Sequence, residues 1–199
     1  MRLLLAPLLI VAICLSACIE LQQRRIEVTP GVVPPEIQGA NWPELPVTYC
    51  IVRDPQGGFV DHETFVALTQ RAMQTWAVPT AYEGECANPL TPDNNRNEIS
   101  WGDLEGDPNN LTEAGNTNLR YLSNPQGGPP DIIEADVTIH RNSARGKDTE
   151  ECLFTTLLHE TGHVIGLTHL SQSSVMSPLI SDCLQEPTPE DRAALEALY

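Results

Sequence analysis

The spacing of three histidines in the last quarter of this chain constrains its fold more than any other feature. The segment reads His-Glu-Thr-Gly-His-Val-Ile-Gly-Leu-Thr-His and contains His159, His163 and His169. Residues four apart on an α-helix lie one above the other, so the first two imidazoles can share one metal ion. Gly166 permits a sharp turn that ends the helix, and His169 can then fold back as a third ligand.

This set of nitrogen donors suits Zn²⁺, which binds imidazole nitrogen at about 2.0–2.1 Å. Three protein ligands leave one coordination position open for water, which is the pattern of a catalytic rather than a structural zinc site. Glu160 directly follows the first histidine, where its carboxylate can accept a proton from that water. The alternative is a helix whose histidines only pack in the core or face solvent. It would suit a single histidine, but three of the chain's five histidines occupy these positions.

The segment resembles the zinc-binding motif of the metzincin metallopeptidases, and the residues after it narrow the resemblance to the matrixin-like branch. The run Ser-Ser-Val-Met-Ser-Pro at 173–178 resembles the Met-turn that lies beneath the zinc in metzincins. Looser matches begin near Trp42 and include Ala-Met-Gln-Thr-Trp at 72–76 and a terminal helix of the form Thr-Pro-x-Asp. The sequence departs from some metzincins because no tyrosine stands two residues after Met176.

The resemblance implies a fold, a function and a set of site residues. The implied fold is α+β, with a small twisted mixed sheet, an active-site helix and an irregular carboxyl-terminal subdomain closed by one helix. The implied function is a zinc-dependent endopeptidase with one catalytic zinc ion, which cleaves protein or peptide substrates that lie extended in a cleft. His159, His163 and His169 would be the metal ligands, Glu160 the catalytic base and Met176 the centre of the Met-turn. The alternative is a non-catalytic surface lipoprotein that uses a zinc-stabilised domain of this kind for adhesion or binding.

The amino terminus predicts export and a lipid anchor. Residues 1–17 contain an arginine, an apolar stretch and then small residues, which is the layout of a secretory signal peptide. Leu-Ser-Ala-Cys at 15–18 resembles the bacterial lipobox, which implies cleavage before Cys18 and attachment of a diacylglyceryl group to its thiol. The chain is therefore expected outside the cytoplasm, anchored to a bacterial membrane, and Ile19 favours the outer membrane or cell surface over the inner membrane. The alternative is an ordinary signal peptide with Cys18 as a stray thiol.

The other cysteines fit an oxidising compartment. Six cysteines occur in the chain, of which one lies in the signal peptide and one in the lipobox. The remaining four are Cys50, Cys86, Cys152 and Cys183. Three pairings are possible, and proximity along the chain favours Cys50 with Cys86 and Cys152 with Cys183. A zinc site made of four thiolates is the alternative, but the sequence has no Cys-x-x-Cys pair.

Periodicity and turn residues divide the rest of the chain. Residues 18–45 contain scattered prolines without a sustained period, as in an extended tether, and residues 46–199 form the expected zinc peptidase domain. The pattern predicts helices at 61–76, 149–165 and from 188 to the carboxyl terminus. It predicts strands at 46–52, 97–101, 119–122 and 133–140, the last with Ile133, Ala135, Val137 and Ile139 on one face. Residues 77–96 are expected to be irregular.

The charge of the chain limits its partners. Eleven Lys and Arg against 27 Asp and Glu give a formal net charge of −16, and so acidic a chain repels the phosphate backbone of nucleic acid. No apolar run after the amino terminus approaches the roughly 20 residues that span a bilayer. Residues 102–118 are rich in Asn, Asp and Gly and could bind Ca²⁺, but they lack an EF-hand pattern, so a solvated loop is the better interpretation. We expect a monomer.

Overall fold

A computed structural model describes the chain in five stretches, residues 39–104, 114–123, 129–141, 148–179 and 182–199. The predicted signal peptide, Cys18 and most of the predicted tether lie outside these residues, as does the centre of the loop considered for Ca²⁺. Within the described stretches, no helix is long and apolar enough to cross a membrane.

The order of the elements, in which four consecutive strands are followed by two helices, confirms the α+β prediction. The helices that the described stretches contain are α1 (His62–Thr75), α2 (Glu150–Val164) and α3 (Pro189–Glu196). The strands are β1 (Val47–Ile51), β2 (Thr80–Glu85), β3 (Glu98–Gly102), β4 (Gly115–Leu122) and β5 (Asp131–His140).

The strands form one mixed sheet in the order β2-β1-β3-β5-β4. β1 is parallel to β2 and β3, and β3 is parallel to β5, whereas β4 runs antiparallel to β5 at the edge of the sheet. Parallel neighbours need a crossover connection, and α1 supplies it between β1 and β2. α2 lies against β4 and β5, so the helix that carries the first two histidines of the motif is held beside the edge strand.

The first helix fixes the position of α2. α1 follows its N-cap Asp61, whose side chain accepts a hydrogen bond from the backbone N–H of Thr64 at 2.7 Å. After the helix, Trp76 is almost fully buried and its Nε1 donates to the backbone oxygen of Leu158 in α2 at 3.0 Å. The buried face of α1 consists of Phe65, Thr69, Ala72 and Met73. This apolar face and the indole hydrogen bond join the two helices.

Both edge strands depart from the sequence prediction. Residues 77–96 are expected to be irregular, but residues 80–85 form β2. The residues of β2 show no regular alternation of apolar and polar side chains, and Gly84 with its flanking glutamates favours strand weakly. β4 begins at Gly115 rather than Leu119 because backbone pairing with β5 holds its polar first half in the strand. Pairing with a neighbour, rather than local pattern, forms these two segments.

A β-bulge in β5 changes which isoleucine faces the core. The register shifts opposite Arg120 and Tyr121, which leaves Ile133 without a partner across the ladder. Ile132 is 0% exposed, whereas Ile133 is only half-buried. The predicted inward position of Ile133 is therefore wrong, and the other three predicted inward positions of this strand are buried.

The opposite face of the sheet buries three carboxyl groups under the loop that precedes β3. They belong to Glu98, Glu134 and Asp136, all nearly inaccessible to solvent. The backbone N–H of Thr91 donates to Glu98 at 2.8 Å, and that of Asn95 donates to Glu134 at 2.7 Å. Desolvation, with the charge of Glu134, raises the pKa of Asp136 to about 8, so this carboxyl stays neutral at neutral pH.

Two disulfide bonds cross-link the domain. Cys50 of β1 is bonded to Cys86, which follows β2, and Cys152 in the first turn of α2 is bonded to Cys183. This is the pairing that proximity along the chain favours, and the alternative site of four thiolates does not form. The second bond ties the amino-terminal turn of α2 to the segment between the Met-turn and α3.

Candidate metal centre

The turn after α2 brings the third histidine back to the first two. Gly166 has a φ of +99°, in the left-handed region that favours glycine. A Cβ atom at this position would lie 1.8 Å from the backbone oxygen of Ala40, so no other residue fits. The backbone N–H of Leu167 donates to the oxygen of Gly162 at 2.9 Å and closes the turn.

The structure brings His159, His163 and His169 together. Their candidate ligand nitrogens all lie within 4.8 Å of one another. The Nε2 atoms of His159 and His163 are 3.1 Å apart, close to the separation of about 3.3 Å that a tetrahedral zinc with bonds of 2.0–2.1 Å sets between two ligands. The ring of His169 stands at 5.3 Å and 4.9 Å, between centroids, from the other two rings.

In His159 and His163, a hydrogen bond from Nδ1 leaves Nε2, the ring nitrogen that faces the centre, with an available lone pair. Nδ1 of His159 lies 2.7 Å from the backbone oxygen of Val175, and Nδ1 of His163 lies 2.8 Å from that of Leu167. A carbonyl oxygen only accepts, so each Nδ1 carries the proton and each Nε2 of the neutral ring is an unprotonated acceptor. Two lone pairs at 3.1 Å repel each other until a cation binds between them. The donor set therefore fits a metal ion and fits zinc well.

Burial keeps the imidazoles neutral. Desolvation lowers the pKa of His159 to about 4 and lowers that of His163 well below its ordinary value. Desolvation also lowers the pKa of the half-buried His169. Neutral imidazole is the form that binds a metal ion, so at neutral pH the three rings are in the ligand form before any ion binds.

Met176 packs directly beneath the histidine-bearing helix. Its side chain is 0% exposed, and a Cβ atom added to Gly162 would lie 2.3 Å from the Met176 sulfur and 2.9 Å from the ring of Trp76. The backbone N–H of Leu170 donates to the backbone oxygen of Met176 at 2.9 Å. The predicted Met-turn thus lies against α2 and is joined to the residue after His169.

Asp191 of α3 holds the Met-turn in place. This carboxylate is 0% exposed and accepts hydrogen bonds from the backbone N–H groups of Val175 at 3.0 Å and Met176 at 3.2 Å, and from the hydroxyl of Ser174. It also completes a capping box with Thr188 at the start of α3. Because the oxygen of Val175 orients His159, Asp191 supports the first histidine through one peptide unit. The sequence predicts that a helix begins at 188, but it does not signal this role of Asp191.

Glu160 is almost fully buried and faces β4. Its Oε2 accepts a hydrogen bond of 2.6 Å from the hydroxyl of Thr117. A Cβ atom added to Gly115 would lie 2.7 Å from the Cγ and Oε1 atoms of Glu160. Sequence reasoning identified the carboxylate but neither strand residue, because the predicted strand begins only after both.

The two ends of the domain satisfy the carbonyl groups at the end of α2. Trp42 Nε1 donates to the oxygen of Val164 at 2.8 Å, and the Tyr199 hydroxyl donates to that of Ile165 at 3.0 Å. The backbone N–H of Ala40, within the predicted tether, donates to the Gly166 oxygen at 3.2 Å. Carbonyls at a helix end need partners outside the helix. These three bonds secure the turn that carries the third histidine.

A second set of possible ligand atoms within the described stretches does not form a metal site. One further group in the described stretches, Cys50, Cys86 and Glu98, brings possible ligand atoms together, but its sulfurs form a disulfide. Cys18 and residues 105–113 of the loop considered for Ca²⁺ lie outside the described residues.

The mixed sheet, the helix beneath its edge strand and the three histidines above a methionine turn define a metzincin-type domain. In a comparison with family models, the peptidase M10 model, described as matrixin, matches residues 41–199, and the chain belongs to this family. The family implies a metallopeptidase that binds zinc. A comparison with curated proteins gave no match.

The close packing of Gly162 on Met176 predicts whether Gly162→Ala stabilises or destabilises the protein. Alanine normally stabilises a helix interior relative to glycine, by about 1 kcal/mol. Gly162→Ala should instead destabilise this protein by about 1–3 kcal/mol, because the added methyl group overlaps the Met176 sulfur. Thermal unfolding should show a lower midpoint, and Met176→Ala should relieve part of the loss in the double variant. A midpoint above that of the wild type would contradict this packing.

Proposed function

We propose that this protein is a zinc-dependent endopeptidase that hydrolyses peptide bonds in protein substrates. One observation carries the proposal: the Nε2 lone pairs of His159 and His163 converge at 3.1 Å beside a third histidine. Glu160, which directly follows His159 on the helix, is buried at the same centre. The family match supports the metallopeptidase class. A purely structural zinc site normally has four protein ligands with cysteine among them, whereas the four described cysteines are paired as disulfides.

The metal and the protein would divide the chemistry between them. Zinc bound by His159, His163 and His169 would supply a Lewis acid that polarises the scissile carbonyl and makes water more acidic. Glu160 would accept the proton of the attacking water and later deliver it to the leaving amine. Asp191 and the Met-turn would hold His159 in its ligand orientation through the Val175 oxygen.

The edge of the sheet offers a place for an extended substrate. β4 lies at the edge, and its residues Gly115 and Thr117 contact the side chain of Glu160. An extended peptide can add to an exposed sheet edge through backbone hydrogen bonds. A peptide aligned with β4 would thus pass the carboxylate and the three histidines, which is the arrangement that endopeptidase activity requires.

A conservative variant of the base tests this function. Glu160→Gln keeps size and hydrogen-bonding capacity but removes the group that accepts a proton. Cleavage of a panel of unfolded and folded proteins should fall by about 10²–10⁴-fold, while zinc content and the thermal midpoint stay close to those of the wild type. Glu150→Gln, at an exposed position in the same helix, is the matched control and should cleave as the wild type does.

Two results would contradict the proposal. Equal cleavage by Glu160→Gln and the wild type would show that another mechanism or a contaminant acts. A wild type that cleaves none of the panel yet binds a protein partner only with zinc would establish the adhesion alternative instead.

We also infer that the protein is exported and anchored to a bacterial membrane by lipid on Cys18. The lipobox-like segment supports this proposal, and two disulfides suit an oxidising compartment. Labelled fatty acid should enter the wild type and a Cys14→Ser control but not Cys18→Ser. An unlabelled wild type with an amino terminus well downstream of Cys18 would contradict lipidation.

A further inference from the structure

We propose that Thr117 is a positioning residue that holds the carboxylate of Glu160 through its side-chain hydroxyl. The inference rests on the proposed function, since it assigns a support to the base of that reaction. Thr117 Oγ1 lies 2.6 Å from Glu160 Oε2, and the two residues are 43 positions apart in the sequence.

The register of the sheet aims Thr117 at α2. Thr117 lies opposite Val137 in the ladder between β4 and β5, and Gly115 lies opposite Ile139. Residues directly opposite in a ladder project to the same face, and both β5 residues belong to the hydrophobic core. Thr117 therefore occupies an inward position, where an apolar β-branched residue would be usual.

The hydroxyl is the part of Thr117 that the packing does not require. Valine has the same shape, so a position that only fills space beside Val137 would favour valine. A buried hydroxyl is unfavourable unless it forms a hydrogen bond. The contact of 2.6 Å is in the range of about 2.5–2.7 Å for a hydroxyl that donates to an ionised carboxylate. The backbone oxygen of Glu160 is farther from the same hydroxyl, at 3.2 Å, so the proton belongs to the side-chain contact.

Gly115 completes the seat for the carboxylate. A Cβ atom on Gly115 would lie 2.7 Å from both Cγ and Oε1 of Glu160, nearer than atoms can pack. The strand thus offers a hydroxyl to one carboxylate oxygen, and its missing side chain at Gly115 lets the other oxygen approach the backbone closely. These two features of β4 surround one side chain.

A fixed carboxylate matters because the last torsion of glutamate is soft. This torsion has a broad, twofold energy profile, so little in the side chain itself keeps either oxygen in place. A general base must stay within about 2.6–3.2 Å of the proton that it accepts. The Thr117 hydroxyl holds Oε2 and thereby sets the rotation of the whole carboxylate.

A pair of substitutions isolates the hydroxyl. Thr117→Val keeps the shape and removes the donor, and kcat should fall about 5- to 50-fold, within the loss expected for a misplaced catalytic group. KM and zinc content should change less than about twofold, because the ground-state contacts and the histidines are untouched. Thr117→Ser restores the donor and should recover kcat to within about threefold of the wild type.

A matched control separates positioning from general loss of a buried hydroxyl. Thr69→Val removes the hydroxyl of a fully buried threonine that donates to the backbone of α1, away from the centre. Its kcat should equal that of the wild type. Wild-type kcat in Thr117→Val, or an equal loss in Thr117→Ser, would overturn the proposal.

A second measurement does not depend on activity. Denaturant unfolding of the metal-free protein measures the loss in free energy of unfolding for each variant. The loss for the double variant Thr117→Val/Glu160→Ala should be smaller than the sum of the losses for the two single variants, because the two side chains share one contact. Additive losses would overturn the contact itself. The Glu160→Gln comparison shows separately whether the proposed function fails. Equal cleavage there, or no cleavage by the wild type, would rule out the proposed enzyme activity, while the unfolding measurements would still test the contact between Thr117 and Glu160.

Discussion

The reversal of the backbone at Gly166 is the constraint on which the rest of the centre depends. A helix can place only two histidines of this motif on one face, so the third must return within a few residues of the helix end. The turn has a positive φ and leaves no room for a side chain. The carbonyls that α2 leaves at this end are met by Trp42, Tyr199 and the backbone of Ala40. Both ends of the domain are thus used to hold one turn.

The Nε2 atoms of His159 and His163 converge because a backbone oxygen holds each Nδ1. Val175 serves His159 from the Met-turn, and Leu167 serves His163 from the turn after α2. The buried Asp191 fixes the Met-turn through hydrogen bonds to its backbone. The histidines therefore depend on three separate parts of the chain, and the centre is preorganised only when all three are packed together.

Sequence reasoning succeeded where one local segment carries the signal. The spacing of His159 and His163 and the stop at Gly166 are local, and the fold class followed from them and from the family resemblance. It failed for β2 and the first half of β4, whose residues favour strand weakly and depend on pairing with a neighbour. The contact between Thr117 and Glu160 joins residues from distant elements, and no pattern within either element signals it.

X-ray absorption at the zinc edge tests the central claim, that three histidine nitrogens and no sulfur hold one zinc ion. For protein purified without chelator, we expect about one zinc per chain with four nitrogen or oxygen neighbours at about 2.0–2.2 Å, and outer-shell scattering from three imidazole rings. Sulfur at about 2.3 Å from the zinc, or protein that binds no zinc even when the ion is supplied, would contradict it.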